Sequence, residues 1–180
     1  MKTYLTYGFV AALCSTLLAV VLFFLGFHSD VEKLSAAQWL AWIGGVIISV
    51  TCIALGTKAR RAEIPPGEPF GYGRALGAGV MVALFAALFG AIGHYIYVSL
   101  INPGMTDVIV QSQIAQWEAM GMSSAQIENA EAITRKMMHP AIQAVFASIF
   151  GFVFGVVIAL ITSAFLKRSE TSPLTSGVGA

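Results

Sequence analysis

Four long runs of apolar residues, none containing Asp, Glu, Lys or Arg, constrain this chain more than any other feature: Tyr4 to Phe27, Trp39 to Thr57, Ala75 to Ile101 and Ala141 to Leu166. A helix needs roughly 20 such residues to cross a hydrocarbon layer about 30 Å thick. A helix is also the single open-chain form that satisfies its own backbone polar groups there. Composition agrees, because 57% hydrophobic and 11% charged residues in 180 is more apolar material than a soluble domain of that length can bury. The excess must face lipid. Gly, Ala, Ser and Thr interrupt each run, as they do where membrane helices approach closely. The expectation is an all-α protein: a four-transmembrane-helix bundle forming a single domain over residues 1–180, embedded in the lipid bilayer.

The first run is far longer than the ~7 to 15 residues of a signal-peptide core, and the nearest cleavage-like triplet, Ser35-Ala36-Ala37, lies well beyond it, so it is expected to stay as a span. Lys2 stands where myristoylation needs glycine, and the C-terminus has no cysteine box.

Charge sets the expected orientation. Lys2, Lys58, Arg60, Arg61, Arg74, Lys167 and Arg168 fall on one side, against Glu63, Glu68 and Glu170. Lys33, Arg135 and Lys136 fall on the other, against Asp30, Glu32, Asp107, Glu118, Glu128 and Glu131. The Lys/Arg-rich side is the cytoplasmic one, which puts both termini, including the tail 167–180, inside a bacterial cytoplasmic (inner) membrane. The net charge of +1 hides this asymmetry, and no basic patch calls for nucleic acid.

Two connecting segments carry information. The loop from Lys58 to Gly73 holds Pro65-Pro66-Gly67 and Pro69, which exclude a helix. The Gly71, Gly73 and Gly77 that follow do not make a dinucleotide fingerprint, because a Pro-rich loop stands where a strand is required. The segment 106–138 reads as an outward-facing amphipathic helical hairpin between the third and fourth spans. Val110, Ile114 and Trp117 fall at i, i+4, i+7, Gly121 breaks the pattern, and Ser123 with Gln126 makes a capping box for a second helix bearing Ile127, Ala130, Thr134 and Met137. Pro140 suits the first turn of the fourth span.

Few residues carry chemistry. His94 is the one titratable group well inside a span apart from Cys14 and Cys52, which read as packing residues. It shares a face with Ala83, Ala87 and Gly90, so a hydrogen bond across a helix pair competes with ion or proton handling. Ala147, Gly151, Gly155, Ala159 and Ser163 recur every four residues and predict a close helix contact, with the third span or with a second copy. Met105, Met120, Met122, Met137 and Met138, with His28 and His139, hold ligand types that suit a soft metal, but without a repeated ligand spacing they read as packing, and no cofactor or metal is expected. No nucleophile stands with an acid–base pair, so no catalytic residue is expected.

The order Phe70-Gly71-x-Gly73-x-Ala75-Leu76-x-x-Gly79, then Ile101-Asn102-Pro103, then Glu118-Ala119-Met120-Gly121-Met122-Ser123, Gln126-Ile127 and Lys136-Met137-Met138 before Pro140 resembles the bacterial membrane family called domain of unknown function 4199. The resemblance covers most of residues 5 to 166. It implies four helices in a bacterial cytoplasmic membrane and transfers no activity or site residue. Of the functions left open, a non-catalytic scaffold or accessory subunit is favoured, docking a homo-oligomer or membrane-protein partner through Trp117, Ile127 and Met137 on the hairpin. A small oligomeric transporter or channel with His94 in its pathway comes second. An enzyme acting on lipid comes last.

Overall fold

Glycine ends the first helix. In the computed structural model, which describes residues 1–65 and 67–168, α1 (Lys2–Phe24) stops where Gly26 takes a left-handed φ of 79°. There Gly26 N–H donates to the Phe23 carbonyl at 2.8 Å and Phe27 N–H to that of Leu22 at 2.9 Å. This pair of bonds satisfies carbonyls that a helix end leaves without partners, and it turns the chain sharply. α2 (Leu34–Ala62) runs beyond the Trp39–Thr57 run at both ends and closes with Arg60 and Arg61, cations suited to a helix C-terminus. α3 (Tyr72–Ile96) continues as a π-helical turn over Tyr97–Ile101 and stops before Pro103. Two shorter helices follow, α4 (Met105–Ala119) and α5 (Ser124–Met137), and then α6 (Pro140–Leu166). Gly121, at φ 75°, repeats the Gly26 device between α4 and α5, with Gly121 N–H on the Glu118 carbonyl at 2.9 Å and Met122 N–H on Trp117's at 3.1 Å. The Ser123–Gln126 capping box is present, and Pro140 opens α6.

The described residues contain helices and no strand, and α1, α2, α6 and α3 with its π turn are each long and apolar enough to cross a membrane. Their outward side chains fit that solvent: Phe24 is 79% exposed, Phe150 70% and Phe165 81%. In lipid such groups lose nothing by facing outward, so helix association depends on close fit rather than on hydrophobic burial.

The fit comes from small residues. α3 packs against α1, α2 and α6, and its contact with α6 is the most extensive. A Cβ placed on Gly155 would lie 2.6 Å from the Ala83 Cβ, and one on Gly79 would lie 2.8 Å from the Ala159 Cβ, so the two helices meet backbone to backbone. Gly8 brings α1 equally near Phe85. Ile53, Val82, Ala83, Ile158 and Ala159 form the core at this level.

At the end that carries the N-terminus and the α2–α3 loop, Phe70 is buried with Ala75 and Ala78. Arg168 binds that loop: its N–H donates to the Phe70 carbonyl at 2.8 Å, and its guanidinium donates to the carbonyls of Pro65 and Glu68 at 2.9 and 2.8 Å. Arg61 similarly donates to the Leu166 carbonyl at 3.1 Å. The expected tail 167–180 lies outside the described residues beyond Arg168.

α4 and α5 pack on each other as a hairpin. Arg135 near the end of α5 reaches Asp107 in the first turn of α4 at 2.7 Å and Glu131 at 2.8 Å. These two carboxylates raise the Arg135 pKa.

Candidate functional site

The close α3–α6 contact does not extend along the whole of α6. From Gly155 to Ser163 the helix buries Gly155, Ile158, Ala159 and Ser163, whereas its preceding half buries Ala144 alone. In the hairpin-end half a cavity of about 250 Å³ opens between α1, α3 and α6, with Ser49 of α2 on its wall. At roughly 30 Å³ per water this is room for a molecule of several heavy atoms.

The cavity walls are mostly apolar, and the polar groups set into them carry no charge. Ser15, Thr16, Ser49, Ser148, Tyr97 and His94 line the cavity together with Ala and Gly, and no Asp, Glu, Lys or Arg is among the lining residues. Small side chains make the space: Gly90 and Gly151 have nothing within 4 Å of where a Cβ would stand. Thr16 turns its hydroxyl onto the Ala12 carbonyl at 2.9 Å, so it shows the cavity mainly acceptor character.

His94 is half-buried, with Nε2 3.4 Å from Oε1 of Gln143 on α6. The Gln143 amide donates to the Met138 carbonyl at 2.5 Å, which makes its Oε1 the acceptor. The network therefore assigns the proton to His94 Nε2 and leaves Nδ1 as an acceptor. His94 thus makes a hydrogen bond across a helix pair and lines the cavity as well.

The stripe on α6 divides at Gly155. Gly155 and Ala159 meet α3 of the same chain, and Ser163 is fully buried with its hydroxyl on the Ala159 carbonyl at 2.5 Å. Ala147 and Gly151 line the cavity opposite His94. Trp117 and Ile127 are half-buried, while Met137 is 49% exposed; none of these three lines the cavity. Cys14 and Cys52 are free thiols. Among the described residues no three His, Cys, Asp or Glu side chains gather as metal ligands.

Sequence reasoning missed one cluster. The Tyr97 hydroxyl donates to Nδ1 of His28 at 2.5 Å and accepts from Nδ2 of Asn102 at 3.2 Å, taking His28 in the tautomer that leaves Nδ1 free to accept. All three residues are buried, His28 and Asn102 to 5% and Tyr97 to 2% exposure. The local signals were there, since a left-handed glycine precedes His28 and Asn102-Pro103 follows the span. Nothing in the linear order joins residues 69 positions apart.

Burial holds the His28 imidazole below the ordinary histidine value. Its folded-state pKa thus lies below its unfolded one, so the stability tied to neutral His28 is complete above about pH 6.5 and is lost as pH falls through the folded value. The thermal midpoint of wild-type protein should therefore fall further than that of His28→Gln between about pH 7 and about pH 5. Parallel curves would show that His28 does not titrate on unfolding.

A family model described as "Protein of unknown function (DUF4199)" matches residues 6–168. The chain belongs to the DUF4199 family. No curated protein and no solved structure matches it. The DUF4199 match takes in the cavity, the π turn, the hairpin and Arg168, so all of these lie within the family's own domain.

Proposed function

We propose that this DUF4199 protein moves small uncharged polar solutes across a membrane, with the cavity beside His94 as its solute site. The observation that carries this function is a small set of uncharged polar groups in otherwise apolar walls: hydroxyls, one imidazole and no ionised side chain line about 250 Å³ inside the spans. Such walls can replace the hydrogen bonds that a hydroxyl- or amide-bearing solute gives up on leaving water, but they offer an ion no counter-charge. The tight Gly155–Ala83 and Gly79–Ala159 contacts beyond the cavity close the other half, as a carrier open to one side requires. No covalent chemistry is called for, and the protein acts without catalysis.

Proteoliposomes test this directly. Stopped-flow light scattering should report faster entry of urea or glycerol than in empty vesicles, with no gain for sodium chloride. Equal rates with and without protein would refute solute transport.

The Lys/Arg asymmetry supports an orientation with both termini in the cytoplasm of a bacterium and the hairpin outside. Single cysteines replacing Ser124 and Gly67, in a chain lacking Cys14 and Cys52, should then separate in intact cells. An impermeant thiol reagent should reach position 124 and spare 67; the reverse pattern would invert the topology.

The scaffold function keeps one supporting observation. On α5, Ile133 and Met137 are 56% and 49% exposed, apolar groups available to a second copy or another membrane protein. Removing residues 106–138 should then abolish crosslinked species in cells while leaving the four spans inserted.

A further inference from the structure

We propose that the cavity is also a binding site for a neutral lipid whose head carries hydroxyl groups, entered sideways from the bilayer between α1 and α6. The inference goes beyond solute passage, because its ligand comes from the membrane rather than from water and need not cross it.

The cavity has a mouth. Ser15 on α1 and Ala147 and Gly151 on α6 line it and are exposed at the same time, whereas Ala11, Ala12 and Ala87 on its inner walls are buried. α2 packs on both α1 and α6, yet it buries no residue between Ala37 and Cys52, and α6 buries none between Ala144 and Gly155. The side of the bundle is therefore open at this level.

The depth of that opening decides what can use it. Ser15 and Gly151 each stand about 3 Å from the middle of their helices at 1.5 Å per residue, so the mouth faces hydrocarbon and not the water on either side. His94 stands about 11 Å from the middle of α3 and its π turn, toward the hairpin, which is still inside a half-core of about 15 Å. A charged head finds no counter-charge in this space and stays among the water-facing headgroups. A hydroxyl-bearing head can leave them, because His94 Nδ1 and the Thr16 hydroxyl oxygen are acceptors for its O–H groups. About 250 Å³ holds a glycerol ester head. The chain then leaves through the mouth, where it lies against Ala147 and Gly151 as it would against neighbouring lipid.

Photolabelling tests the site in the full chain. The protein is held in phosphatidylcholine nanodiscs, and the probe is a monoacylglycerol with a diazirine in its acyl chain close to the ester. Mass spectrometry of the labelled peptides should place adducts around Ser15, Ala147 and Gly151. Excess unlabelled monoacylglycerol should reduce them several-fold, whereas the same amount of lysophosphatidic acid, whose head is charged, should not. Gly151→Leu, which fills the cavity, and His94→Leu, which removes an acceptor, should each lower the competed labelling several-fold. Labelling at exposed Phe165, remote from the mouth, should be alike in every variant and resist competition. Should Gly151→Leu fold poorly, Ala147→Leu narrows the same mouth. Labelling spread evenly over the lipid faces, competed equally by both lipids, or unchanged in the leucine variants would overturn the inference. Competed labelling at the mouth without urea entry into proteoliposomes would uphold lipid binding and refute solute transport, so the two proposals fail separately.

Discussion

Gly155→Leu should lower the thermal midpoint sharply. A Cβ at this position lies 2.6 Å from the Ala83 Cβ and 3.5 Å from its Cα, so the obstacle is the foot of a side chain and the backbone of a buried helix rather than a flexible tip. Overpacking a well-fitted interior by a methylene or two costs about 1 to 3 kcal/mol, and leucine adds four carbons where not even one fits. The loss should therefore exceed about 3 kcal/mol, a large share of the ~5 to 15 kcal/mol that holds an ordinary domain folded. Size-exclusion profile and thermal midpoint in detergent are the measurements. Val153→Leu is the control, because Val153 is 55% exposed on the lipid side and should tolerate the change. A Gly155→Leu protein with the wild-type midpoint would mean that α3 and α6 do not meet at this point.

Gly151→Leu, one turn away on the same stripe, should do the opposite. Nothing lies within 4 Å of its Cβ position, so the new side chain enters open space and the thermal midpoint should hold. That space is the cavity wall facing His94, and a leucine there removes volume and covers hydroxyls with hydrocarbon. Urea and glycerol entry into proteoliposomes should fall to the rate of empty vesicles. Undiminished flux through a folded Gly151→Leu protein would place the solute path elsewhere.

The contrast between these two glycines marks how far the sequence could be read. A period of four along α6 identifies one face of the helix, and that face is buried against α3 at Gly155 but only borders the cavity at Gly151. Whether a neighbour is touching depends on the inclination between two helices, which is a property of the pair and leaves no trace in either strand of letters. Helix termini were more legible because their causes are local: the Ser123–Gln126 box, Pro140 and the break at Gly121 all act within a few residues. The His28–Tyr97 bond was illegible for the reverse reason, since it needs a reversal after α1 and a π turn after α3 to coincide in space. His94 stood out because an imidazole is rare within a span, but its Gln143 partner sits on another helix, 49 residues along the chain.

The grip of Arg168 on Pro65, Glu68 and Phe70 has a mechanical consequence. α6 is clamped at its foot to the loop that leads into α3, seated against α3 as far as Gly155, and weakly held from there to Pro140. Those last residues form an arm about 22 Å long at 1.5 Å per residue. A lever so mounted needs little motion at its fulcrum: pivoting about 5° at Gly155 carries the hairpin end of α6 about 2 Å, and Gln143 about 1.6 Å, by the same rise per residue. A displacement of that size would part Gln143 from His94, which now stand 3.4 Å apart, while every contact below the pivot stays in place.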